Sequence, residues 1–119
     1  MKRSFTTLTD ATLITAVVQQ GYGEIIADAL LEVGIEGSTV HGAMGVGIRE
    51  KLGALGVAVD AERDVVNVMV PSAEVDRVFE RVFLAGKLDT PGMGFMYATP
   101  LMQAATYVPP SILSKYVGS

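Results

Sequence analysis

ATLITAVVQQGYGEIIADALLEVG, residues 11–34, carries two hydrophobic periods in succession, and the change from one to the other decides the fold. From Ala11 to Gln20 the residues are β-branched or apolar. Thr12, Ile14, Ala16 and Val18 point one way, and Leu13, Thr15 and Val17 the other, which suits a strand with little wet surface. Gly21 and Gly23 mark a turn. Beyond it Tyr22, Ile25, Ile26, Ala29, Leu30 and Val33 fall at helical spacing on one stripe, leaving Glu24, Asp28 and Glu32 on the wet side. Gly34 stands where a left-handed helix cap needs no Cβ.

The same unit recurs downstream. Gly37–Ala43 reads as a second strand and Asp64–Val70 as a third, ended by Pro71. Ser72 can cap the next helix, with Glu74 and Asp76 near its positive end. Val75, Val78, Phe79, Val82 and Phe83 repeat the helical stripe, Gly86 sits past its end, and Phe95–Thr99 offers a short fourth strand. The order β-α-β, loop, β-α-β is the split βαβ pattern: an α+β, ferredoxin-like antiparallel sheet with both helices on one face. The other face of that sheet then needs a cover.

With 119 residues the chain has room for one domain, 1–119. Half the residues are hydrophobic and 18% are charged. A small domain has a high surface-to-volume ratio, so the apolar excess points to burial against further copies. No run approaches the roughly 20 apolar residues of a spanning helix. Met1-Lys2-Arg3-Ser4-Phe5-Thr6-Thr7 leads into Thr and Asp rather than an apolar signal core, so residues 1–10 read as a loose arm of a cytoplasmic protein. The absence of cysteine removes disulfides, thiolate metal sites and thiol nucleophiles. A net charge of −4 with dispersed Lys and Arg argues against a nucleic-acid partner.

Two stretches break the regular pattern. Gly42, Gly45, Gly47, Gly53 and Gly56 interrupt both helix and strand, so a long mobile loop is expected over 43–63. Leu52, Leu55 and Val57 within it call for a partner surface. The second stretch is Lys87-Leu88-Asp89-Thr90-Pro91-Gly92-Met93-Gly94, whose glycines admit a ligand or another backbone. Successive N–H groups in such turns form anion-binding concavities. In the extension 101–119, Val108-Pro109-Pro110 breaks regular structure, and Ile112, Leu113 and Tyr116 suggest a short docked helix.

Leu31-Glu32-Val33-Gly34-Ile35-Glu36-Gly37-Ser38-Thr39-Val40 resembles the end of the first helix and start of the second strand in PII signal-transduction proteins. Gly45-Val46-Gly47 is similar to that family's Gly-aromatic-Gly opening of its T-loop, and Ala85-Gly86-Lys87-Leu88 followed by Gly92-Met93-Gly94 resembles its B-loop. The likeness covers roughly residues 12–100. It implies a nitrogen-regulatory type of protein: a homotrimer whose sheets face the threefold axis, with an adenine nucleotide effector (AMP, ADP or ATP) in clefts between subunits and no tightly bound cofactor. It also implies a mobile loop that regulates a protein partner, such as a membrane transporter. By position, Thr39, Gly45, Gly47 and Arg49 stand on the T-loop side of the cleft and Lys87, Gly92 and Gly94 on the B-loop side. Arg49, Lys51, Leu52 and Leu55 stand on the partner-binding loop.

The chain departs from that pattern at several points. Phe95 replaces the basic residue that closes the B-loop motif, Met93 the acidic residue between its glycines, and Thr90-Pro91 are extra. Ile48-Arg49 replaces the Arg-Gln pair, and the tail has Lys115 where the family has arginines. Tyr22, Tyr97, Tyr107 and Tyr116 all lie outside the loop, so the tyrosine modified in some members has no counterpart. With so few cations, a ligand less charged than ATP or 2-oxoglutarate is expected.

Plainer readings stand beside these. His41, the one histidine, reads as a packed or exposed side chain on a strand rather than a metal ligand. Lys87 serves equally well as a helix C-terminal cation or a phosphate contact. Met93, Met96 and Met102 read as core or interface filler. One His and scattered carboxylates leave little for catalysis, so neither enzyme nor metal centre is expected and no residue is assigned a catalytic role. The rival readings are a ligand-free structural or metal-tolerance trimer of the same fold and, behind it, a small enzyme.

Overall fold

A computed structural model of the chain describes residues 7–45, 61–107, 110–113 and 115–116. Four strands, β1 (Ala11–Gln19), β2 (Thr39–Gly45), β3 (Ala61–Pro71) and β4 (Gly94–Pro100), form one antiparallel sheet in the order β2-β3-β1-β4. Two eleven-residue helices, α1 (Tyr22–Glu32) and α2 (Val75–Ala85), pack on each other and on the same sheet face. This is the α+β, ferredoxin-like arrangement expected from the order of elements. A short helix, α3 (Pro110–Leu113), belongs to the C-terminal segment.

The core follows the alternation of the strands. Ile14, Ala16 and Val18 of β1 and Val66, Val68 and Val70 of β3 turn toward the helices. They meet Ile26 and Leu30 of α1 and Val78 and Val82 of α2, all buried. At roughly 1.5–3 kcal/mol per buried side chain, this contact is the main stabilising term. Ile25, assigned to the stripe of α1, is 47% exposed. The buried line through Gly23, Ile26 and Leu30 is narrower than the sequence suggests.

Both helices close with the same double hydrogen bond. At α1, Ile35 N donates to Leu30 O and Gly34 N to Leu31 O, with Gly34 at φ +82°. At α2, Leu88 N donates to Phe83 O and Lys87 N to Leu84 O. There the left-handed position is taken by Lys87 (φ +53°), while Gly86 has an ordinary φ of −83°. The expected glycine cap is therefore off by one residue. Gly86 is small for another reason: a Cβ would lie 3.2 Å from Ile26 Cδ1, where the two helices converge. Ser72 does not cap α2 by side chain either. It opens a 3-10 turn, Ser72–Glu74, and its hydroxyl shares a 2.7 Å hydrogen bond with Thr12 Oγ1.

The strands run further into the glycine-rich region than expected, since β2 reaches Gly45 and β3 begins at Ala61. The remainder of that loop, 46–60, lies outside the described residues. The N-terminal arm also differs where it is described. Leu8 is fully buried and bridges Ala104, and the N–H groups of Thr9 and Asp10 both donate to Tyr116 O. An apolar side chain with a place to go fixes residues 8–10, and with them the C-terminal segment. Leu8, Ala11 and Tyr116 form a second small core with Met69 and Leu113, on the sheet face away from α1 and α2.

The rest of that outer face is open in the single chain. Thr15 Oγ1 donates to Asn67 Oδ1 at 2.7 Å at its centre. Phe95 and Tyr97 stack with ring centroids 6.3 Å apart, yet remain 59% and 47% exposed.

Candidate functional site

The end of the sheet where β2 and β3 part carries Gly21, Gly92 and Gly94, each at positive φ. Strand register sets Gly42, Asp64, Val18 and Gly94 in one row across all four strands. The last residues of β2 and the loop before β4 therefore open at the same end, on opposite edges. This end also holds an open pocket of about 490 Å³ lined by Gln20, Gly42, Ala43, Glu62, Arg63 and Asp64.

Arg63 organises this end. It is only 8% exposed, and its Nη1 donates to Gly92 O at 3.3 Å. Because β1 separates β3 from β4, this bond spans the width of β1, a reach that a long guanidinium can make. Gln19 N, at the end of β1, donates to Met93 O at 3.0 Å. Together the two bonds fix the loop 87–94 to the base of the glycine-rich loop. Among the described residues Arg63 has no carboxylate partner, since Glu62 accepts instead from Gln20 Nε2 at 2.7 Å. The guanidinium keeps unused N–H donors at the pocket wall, beside the Glu62 and Asp64 carboxylates that share the lining.

Asp64, next along β3, faces the helices. Its Oδ2 accepts from Gly21 N at 2.9 Å and Gly23 N at 3.0 Å, which caps α1 from a neighbouring strand. Gly21 itself is left-handed at φ +95°. A Cβ on Gly23 would stand 2.6 Å from Val40 Cγ1, so this glycine lets α1 settle against β2 and Asp64.

The residues expected at the site are distributed as follows. Gly45 ends β2 at the pocket end, paired with Ala61. Thr39 is exposed at the other end of β2, opposite Asn67, and does not line the pocket. Lys87, exposed, begins the 87–94 loop, which turns twice through Thr90 N to Lys87 O and Met93 N to Thr90 O. Gly92 adopts φ +84° with open space where a Cβ would point. Gly94 is different. At φ +133°, its absent Cβ would strike the Val17 carbonyl oxygen, so the strand pairing alone requires glycine there. Gly47, Arg49, Lys51, Leu52 and Leu55 lie outside the described residues.

The sequence pattern ends the loop at Arg63, whereas pairing with Gln19 and Ala43 makes it part of β3. The available signal was a charged residue directly preceding an almost unbroken apolar strand, Asp64–Val70. His41 is exposed on β2, and among the described residues no group of three His, Asp or Glu side chains is arranged to hold a metal. No helix among them is long and apolar enough to cross a membrane.

The model of the family "Nitrogen regulatory protein P-II" matches residues 11–107. Among solved structures, that of Arabidopsis thaliana PII bound to citrate is similar in fold, with a TM-score of 0.64 and 19% sequence identity over 78% of each chain. No curated protein matches the chain in sequence.

Proposed function

The chain belongs to the nitrogen regulatory protein P-II family, and from that premise we propose that it is an effector-sensing regulator rather than a catalyst. Its effector is a small anion, with an adenine nucleotide of the AMP or ADP kind as the leading candidate. It sits at the loop-bearing end of the sheet and alters the 46–60 segment, through which the protein acts on a partner such as a transporter. The observation that carries this reading is the buried Arg63 guanidinium at the pocket wall, bonded to Gly92 O and with no ion-pair partner among the described residues, although Glu62 and Asp64 share the lining.

Two further features support it. The Gly92 conformation and the double turn of 87–94 hold backbone groups of the loop in a fixed shape next to that cation. The outer sheet face exposes Phe95 and Tyr97, an apolar surface suited to burial in a homotrimer. In this reading the neighbouring subunit completes the cleft. Lys87 is exposed at the start of the loop and supplies a second positive charge.

A thermal-shift screen of AMP, ADP, ATP, cyclic dinucleotides and bicarbonate, paired with light scattering, tests the proposal. A ligand that binds the native state alone raises stability by about 2.7 kcal/mol at a hundredfold excess over Kd. The expected outcome is a trimer with a saturable shift for at least one nucleotide. A monomer, or no shift with any of these ligands, contradicts it.

A further inference from the structure

The opposite end of the sheet carries a second cleft, built from the C-terminal segment. β2 begins at Thr39 opposite Asn67, so the last residues of β3, up to Pro71, have no strand beside them on that edge. The α1 cap loop walls one side of this gap and Ile112, Lys115 and Tyr116 the other, around an open cleft of about 360 Å³. That volume falls within the range of roughly 300–1,000 Å³ typical of small-molecule sites. Ile35, Met69 and Ile112 give it an apolar lining.

Its polar groups converge at one corner. Arg77 Nη2 lies 2.6 Å from Glu74 Oε1, and Lys115 Nζ lies 3.5 Å from Glu74 Oε2. Two cations with eight N–H donors between them thus share one carboxylate. Both cationic side chains are about half exposed, at 51% and 54%. Glu36 also lines the cleft. We propose that this cleft is a second binding site, for a small amphipathic organic anion whose carboxylate or phosphate rests on Arg77 and Lys115 while its apolar body lies against Ile35, Met69 and Ile112.

Among the described residues, the two groups with displaced pKa values, Glu74 and Tyr116, both line this cleft. Because Ile112, Lys115 and Tyr116 belong to the C-terminal segment, occupancy also strengthens that segment's hold on β3 and on Thr9 and Asp10. The site is independent of the loop-end pocket and of the effector proposed for it.

The test is a two-dimensional amide NMR titration of the full chain with sodium octanoate as probe and 1-octanol as its uncharged counterpart. The expected result is saturable shifts at the amides of Ile35, Val70 and Tyr116 with octanoate, and octanol binding weaker by about tenfold. Arg77→Gln and Lys115→Gln, each at a half-exposed position, should weaken octanoate by several-fold and leave octanol unchanged. Shifts that do not saturate, that fall elsewhere, or that are equal for the two probes would overturn the proposal. So would unchanged octanoate affinity in both variants.

Discussion

Gly94 and Val17 meet backbone to backbone: a Cβ on Gly94 would overlap the Val17 carbonyl oxygen and stand 2.9 Å from Val18 Cα. The glycine that looked like a ligand contact in the sequence is first a requirement of the β1–β4 ladder. Gly94→Ala should therefore destabilise the fold by more than about 2 kcal/mol. Gly92→Ala, strained at φ +84° but facing open space, should cost only about 1–2 kcal/mol. Chemical denaturation of the two variants checks the order, and equal losses would contradict it.

Lys87 occupies a left-handed position at the α2 cap, one residue after a glycine that does not. Lys87→Gly should raise stability by about 1 kcal/mol by relieving that conformation. Gly86→Ala should lower it by about 1–3 kcal/mol, because the new methyl presses on Ile26 across the helix contact. Urea midpoints for the pair separate cap strain from helix packing.

Asp64 caps α1 from β3 through Gly21 N and Gly23 N. Asp64→Ala should cost about 0.5–2 kcal/mol, with Asp64→Asn falling between it and the native protein. Amide hydrogen exchange should quicken first in the opening turn of α1. Uniform loss of protection across the sheet would point to a different role.

The C-terminal segment is held by groups that titrate in opposite directions. The hydrogen bond from Arg77 holds the Glu74 carboxyl below its ordinary value, and Lys115 adds to it. That contribution is present above the ordinary glutamate value and is lost as pH falls through the lowered one. Burial, with the nearby Glu74 charge, raises the Tyr116 phenol above its ordinary value. Its contribution is present below the ordinary tyrosine value and is lost as pH rises through the raised one. The segment should therefore stay docked across neutral pH and loosen at both extremes. NMR signals of Leu8 and Tyr116 report this directly. Glu74→Gln should remove the acid limb and Tyr116→Phe the alkaline limb, and limbs that persist in these variants would contradict the assignment.

The sequence made the architecture legible because strand and helix periods alternate cleanly over 11–34 and 64–99, and the core residues follow them. Boundaries were harder. Ala61, Glu62 and Arg63 lack the apolar run that marks the rest of β3, yet cross-strand pairing with Gly45, Met44 and Ala43 extends the ladder through them. At the candidate site the glycines could be seen but not their reasons. Gly92 serves conformation, Gly94 serves strand approach, and Gly86 serves helix packing. Arg63 acquires its meaning only when register carries it under β1 to Gly92. Docking of Leu8 onto Ala104 and Tyr116 depends on contacts about a hundred residues apart in sequence, which no local pattern announces.

Arg63 is proposed to anchor an anionic effector at the loop-bearing end of the sheet. Isothermal titration of AMP, ADP and ATP into the native protein and into Arg63→Gln tests it most directly, with light scattering confirming that both share one oligomeric state. The expected result is saturable binding of at least one nucleotide to the native protein and a loss of tenfold or more in the variant, about 1.4 kcal/mol or greater. Equal affinity of the two proteins for every nucleotide that binds would contradict it.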